Sequence, residues 1–165
     1  MIEEHFGKIL EELGLNLSGT PGRIAKMYRE EIFTGLIPEN FPKISLFDAT
    51  SHQKITVKNI SFVSFCEHHF LPMFGKALIS YIPNKKILGL STIHEIVHYF
   101  SKRPQLQERL TQDIAQSLQK ILETEEVFVE IEAEHSCVRA RGVLDQNSTL
   151  VTAYGHCNQL YSQFD

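Results

Sequence analysis

The chain opens with Ile2, Phe6, Ile9, Leu10 and Leu13 at helical spacing, and Gly14 closes that run. Thr20-Pro21 predicts a second start, a threonine cap with proline in the first helical position. Ile24, Met27, Tyr28 and Ile32 line one face of the helix it opens. Residues 35–42 read as a loop. From Lys54 the character changes: 54–65 and 76–82 are rich in β-branched and aromatic residues, with Pro72 and Gly75 between them. These runs predict an antiparallel hairpin whose wide connection holds residues 66–74. Two helices follow. Ile93, Ile96, Val97 and Phe100 mark the first. Leu106, Leu110, Ile114, Leu118, Ile121 and Leu122 mark the longer second, with Pro104 in its first turn. Residues 127–134 alternate as V-F-V-E-I-E-A-E, a half-buried strand with one acidic face. Residues 138–143 are expected to continue extended, 145–148 to turn, and 149–154 to return as a strand.

After the two lead helices the order is ββααββ. It predicts an α+β fold: a four-stranded antiparallel sheet with helices on one face. A short N-terminal helical segment, 1–47, and the sheet-bearing part, 48–165, together make one domain. Such a sheet has open edges, and pairing between copies is one way to cover them, so a homo-oligomer is expected.

Composition narrows the class. A hydrophobic fraction of 42% with 22% charged residues fits a globular chain with a real core. No apolar run approaches the ~20 residues of a membrane span, and Met1-Ile2-Glu3-Glu4-His5 lacks the basic start of a signal peptide. A net charge of −4 argues against nucleic acid as partner while leaving room for a basic pocket and a small anionic substrate. Three cysteines, an odd number, do not read as a disulfide framework. The expected setting is therefore a reducing cytoplasm, with the thiols free for other chemistry.

Two short clusters carry that chemistry. Cys66-Glu67-His68-His69 lies in the connection after the first strand, and His135-Ser136-Cys137 follows the third. A thiolate and an imidazole in C-x-x-H spacing both reach one ion, and Cys137 arrives from a neighbouring strand. Three ligands, Cys66, His69 and Cys137, leave one tetrahedral position for water, as at catalytic rather than structural zinc. Zinc at such a position activates water as a nucleophile near neutral pH. The plainer alternative is buried thiols with histidines satisfied by local hydrogen bonds. C-x-x-H followed later by H-x-C argues for Zn2+. Cys157, beside His156 alone, reads as a bystander.

Residues 20–28 (T-P-G-R-I-A-K-M-Y), 66–69 (C-E-H-H), 81–83 (Y-I-P), 89–91 (G-L-S), 103–111 (R-P-Q-L-Q-E-R-L-T) and 135–143 (H-S-C-V-R-A-R-G-V) together resemble the GTP cyclohydrolase I family. The resemblance runs to about Thr152. It implies a tunnelling fold whose subunits join sheet edges into a barrel, commonly a decamer, with sites at subunit junctions. It implies zinc on Cys66, His69 and Cys137, with His68 and His135 as acid/base histidines. Gln107 and Glu108 would recognise guanine. Arg141 and, as an assistant, Arg23 would lie toward the phosphates, and Ser91 would also bind substrate. The implied reaction hydrolyses the guanine imidazole ring of GTP, releases formate and gives 7,8-dihydroneopterin triphosphate, a step of tetrahydrofolate and other pterin biosynthesis.

The chain departs from the family at two triphosphate-binding positions, where a lysine and an arginine are usual and Thr92 and Glu95 stand here. Thr92-x-x-Glu95 also reads as a capping box opening the helix of Ile96, Val97 and Phe100. Lys102, Arg103, Arg139 and His94 are the candidates to replace the missing charge. Two alternatives follow: a paralogue acting on a related guanine or pterin compound without the triphosphate, and a non-catalytic zinc-binding relative.

Overall fold

The computed structural model describes residues 1–158. Helices α1 (Ile2–Glu12) and α2 (Thr20–Met27) pack on each other as a hairpin. Gly19, not Thr20, caps α2: its φ of +76° lies in the left-handed region that glycine enters without a Cβ penalty, and Thr20 becomes the first helical residue. A single π-type turn (28–32) and two 3-10 turns (34–36, 38–40) carry the chain on from α2. A two-stranded ribbon, β1 (Leu46–Asp48) against β4 (Lys86–Leu88), stands apart from the main sheet.

The hairpin predicted after Lys54 forms from β2 (Ile55–Cys66) and β3 (Pro72–Tyr81), in register from Ile55↔Tyr81 to Phe65↔Pro72. A bulge between Val57 and Ile60 is taken up by Asn59 at φ +59°, a residue type that tolerates this region. The chain then builds α3 (Leu90–Ser101), β5 (Pro104–Gln105), α4 (Gln107–Leu122), β6 (Val127–His135), α5 (Ser136–Arg139) and β7 (Leu150–Gly155). The ββααββ order is therefore present as β2-β3-α3-α4-β6-β7, but the sheet has five strands, ordered β5-β2-β3-β6-β7.

Three further expectations are corrected. Pro104 lies outside the helix, in β5, which runs parallel to Phe65 and Cys66 of β2; proline has no N–H to donate and suits an edge strand. Residues 138–143 do not run extended. The β3–β6 ladder ends at Met73↔His135 and β7 reaches only Ala133, so the backbone beyond has no strand to bond. It closes into the α5 turn instead, Ala140 N–H donating to Ser136 O at 2.8 Å. The capping box does not form either: α3 starts at Leu90 with Gly89 as its cap, which puts Thr92 inside the first turn, buried, and leaves Glu95 exposed.

One sheet face carries Ile60, Phe62, Ala77, Ile79, Val129 and Ile131 against Ile93, Ile96 and Val97 of α3 and Leu110, Ile114 and Leu118 of α4. Each such side chain contributes about 1.5–3 kcal/mol on burial. Gly75 makes room for the Phe62 ring: a Cβ there would lie 2.6 Å from Phe62 Cζ, 2.7 Å from Glu132 O and 2.8 Å from Ala133 Cβ. The opposite face shows Ser61, Val63, Phe74, Lys76 and Glu132 to solvent, and β7 is one edge of the sheet. Among the described residues no helix is long and apolar enough to cross a membrane.

Candidate active site

The loop leaving β2 is tightly closed. Cys66 N–H donates to Leu71 O (2.9 Å), Phe70 N–H to Cys66 O (2.8 Å) and Glu67 N–H to Gln105 O in β5 (3.1 Å). Closing it puts Phe70 at φ +53°, a strained conformation for a bulky residue, costing about 1–3 kcal/mol. Aromatic packing holds it there: the Phe70 ring meets Phe33 edge-on at 5.5 Å and Tyr28 at 6.2 Å, and Phe33 also meets Phe65 at 5.6 Å. The Glu67 carboxylate accepts from Arg109 of α4 at 2.7 Å, tying the loop to that helix. This bond holds the Glu67 carboxyl below its usual range.

The loop brings His68 Nδ1 to 3.7 Å and His69 Nδ1 to 3.9 Å from Cys66 Sγ. Cys137 comes from the other side, in α5, where the end of β6 turns the chain back. The ligand atoms of Cys66, His69 and Cys137 all lie within 4.8 Å of one another. A tetrahedral ion with bonds of about 2.0–2.3 Å needs its ligands roughly 3.5–3.8 Å apart, so a small inward movement completes the set. Two thiols and an imidazole suit a divalent transition metal, and the residues present fit such an ion. Burial, and then the proximity of Cys66, push the Cys137 thiol up; Arg141 opposes this. Arg141 is exposed, with a guanidinium nitrogen 3.4 Å from His69 Nε2.

His135 ends β6 beside this cluster. Burial lowers its pKa, against a weaker opposing pull from the Glu108 charge, which favours the neutral ring. Its Nε2 lies 2.8 Å from Gln107 Oε1. Gln107 is buried, and its amide nitrogen is spent on Ile131 O (3.0 Å), Leu150 O (2.9 Å) and Thr152 Oγ1 (3.2 Å). Of the expected guanine-reading pair, only Glu108 is exposed, in the first turn of α4.

Ser91 and Arg23 are exposed on α3 and α2, and among the described residues no hydrogen bond joins either to the cluster. The candidates to replace the missing cations differ. Arg103 lies over the Tyr99 and Phe100 rings at 5.0 and 4.9 Å, Arg139 pairs with Glu134, and His94 Nδ1 faces Leu90 O at 2.8 Å. Lys102 is exposed. Sequence reasoning missed the Glu67–Arg109 tie, the Phe70 conformation and the Thr111–Thr152 contact (2.6 Å) behind Gln107. Only Thr111 left a local signal, its place four residues after Gln107, where a threonine hydroxyl bonds back to the helix carbonyl.

Residues 2–160 match the family model of GTP cyclohydrolase I. The chain is 51% identical over 162 residues to the GTP cyclohydrolase 1 of Shewanella sp. (strain ANA-3), covering 93% of this chain and 75% of that one. It is 51% identical over 158 residues to the protein of that name in Blochmanniella pennsylvanica (strain BPEN), with 92% and 72% covered. The corresponding protein of Wigglesworthia glossinidia brevipalpis is 52% identical over 158 residues, with 92% and 73% covered. Among solved structures, the archaeosine synthase QueF-Like in its apo form matches with a TM-score of 0.51 and 14% identity. The match covers 67% of this chain and all of that one, a likeness of fold alone.

Proposed function

Because the chain belongs to the GTP cyclohydrolase I family, we propose that it hydrolyses the guanine imidazole ring of GTP, releasing formate and giving 7,8-dihydroneopterin triphosphate for pterin and tetrahydrofolate biosynthesis. The observation that carries the reading is one constellation: the Cys66, His69 and Cys137 cluster, with His135, two residues before Cys137, anchored on Gln107. That constellation also weighs against a non-catalytic relative.

A zinc ion held by Cys66, His69 and Cys137 would supply a Lewis acid and an acidic water near neutral pH. The chain's own residues supply the rest. Glu108 accepts hydrogen bonds from the N–H groups of the guanine, a pairing that an analogue without those donors would leave unmade. His135 and His68 carry protons to and from the ring nitrogens as water adds at C8, the imidazole opens and formate leaves. The ribose then rearranges and a new ring closes. Arg141 sets a positive charge beside His69 on the phosphate side, with Ser91 and Arg23 reaching the triphosphate from their exposed positions. Gln107, its amide spent within the chain, serves His135 rather than the base. The open sheet edges support a barrel-forming homo-oligomer, read as a decamer, and three free cysteines support a cytoplasmic setting.

Turnover of GTP by zinc-loaded protein tests this, followed by formate release and the fluorescence of oxidised neopterin, with Cys137→Ala as control. Zinc-dependent formation of both products is expected. A second reading, action on a guanine compound with fewer phosphates, is favoured by Thr92 and Glu95. Turnover of GMP or guanosine in place of GTP would select it.

A further inference from the structure

The hydrogen bonds around Gln107 admit one arrangement of protons. We infer from it that Gln107 holds His135 as the tautomer with its proton on Nε2, and that Thr111 and Thr152 are positioning residues that brace Gln107. Its use in catalysis rests on the reading of His135 given above; the tautomer itself does not.

The argument starts from two carbonyls. One end of the buried Gln107 side chain faces Ile131 O at 3.0 Å and Leu150 O at 2.9 Å. Carbonyl oxygens only accept, so that end is the NH2 group; a flipped amide would set oxygen against oxygen twice. Oε1 therefore faces His135 Nε2 at 2.8 Å, and an acceptor there requires Nε2–H.

The two threonines lock this choice from behind. Thr111 donates its one hydroxyl proton to Gln107 O at 2.8 Å. The 2.6 Å contact between Thr111 Oγ1 and Thr152 Oγ1 must then take its proton from Thr152. Thr152 Oγ1, its proton committed, accepts from Gln107 Nε2 at 3.2 Å, sharing an N–H with a neighbouring carbonyl. Every proton has an acceptor, one N–H of Gln107 being shared between two, and reversing any bond leaves two acceptors or two donors face to face. Nδ1 is the nitrogen left to exchange a proton with substrate. The ring is gripped between α4, through Gln107, and the edge strand β7, through Thr152.

Selective 15N-histidine labelling of the zinc-loaded protein, read by proton–nitrogen correlation across each ring, tests the assignment. The His135 pattern is the one missing from His135→Gln. It is expected to show Nε2–H in the wild type. Thr152→Val and Thr111→Val keep the shape but lose the hydroxyl. They should keep the Nε2–H tautomer, which Ile131 O and Leu150 O still fix, but loosen the Gln107 brace and lower kcat on GTP roughly tenfold with KM within about twofold; Thr152→Ser should restore kcat. A wild-type Nδ1–H ring would overturn the inference. Unchanged kcat in both valine variants would overturn the role given to the two threonines. An Nε2–H ring in a protein that turns over no guanine compound would support the tautomer and sink the catalytic reading instead.

Discussion

Stripping the metal from the loaded protein should lower its melting temperature by several degrees, and Cys137 should account for most of that. Cys66 and His69 sit in one short loop, whereas Cys137 lies in α5, far along the chain and past the end of β6. An ion on all three residues binds the folded chain in a way the unfolded chain does not offer. With free metal about a hundredfold above its dissociation constant, mass action contributes about 2.7 kcal/mol. For a chain of this length each kcal/mol moves the midpoint by roughly 2–4 °C, so the expected difference is roughly 5–10 °C. Cys137→Ala leaves a pair of ligands that the unfolded loop also presents, and its shift should shrink to about 2 °C or less. The assay is scanning fluorimetry at fixed subunit concentration with and without stoichiometric zinc, beside metal content per subunit. A Cys137→Ala protein with the full shift and full metal content would refute this ligand set.

Three further outcomes follow from the same structure. Gly75→Ala pushes a methyl into the Phe62 ring and into the backbone of β6, and should cost about 1–3 kcal/mol; Phe62→Leu in the same chain should recover part of it, read from urea midpoints. Burial depresses the folded-state pKa of His135 below the ordinary 6.5, so below about pH 6.5 the unfolded chain binds more protons and stability falls as pH falls. His135→Gln should flatten that decline between pH 8 and 5, and an unchanged slope would show the ring is not buried as a neutral group. Glu95→Arg, at an exposed position of α3, should leave the melting temperature unchanged and lower KM for GTP by roughly tenfold at low salt, with no effect on guanosine; equal effects on both would place Glu95 away from the phosphates.

The ββααββ order was legible because each strand and helix declares its period: V-F-V-E-I-E-A-E admits little but a half-buried strand. β5 was not legible, since two residues carry no period and its pairing with β2 is non-local. α5 was missed for a related reason. Val138 and Val143 favour extension locally, but the ladder beside them ends at His135, and only the partner strand decides where a ladder ends. In the site, C-x-x-H and H-x-C announce themselves through residue type and spacing. The placement of Gln107 was not legible from its neighbours, which suggest a solvated helix face, whereas it is buried. Its burial depends on Leu150 and Thr152, strand residues that local spacing does not connect to α4.

Phe70 and the rings around it bear on how this protein tolerates change. The left-handed kink that shapes the Cys66–His69 loop persists because Phe33 and Tyr28, from the segment just after α2, pack on Phe70. Drift at those two positions, remote in sequence from any metal ligand, is therefore transmitted to ligand geometry. A swap of the N-terminal helices between relatives would preserve activity only if these aromatic positions travelled with the loop, so the two segments form one unit of inheritance.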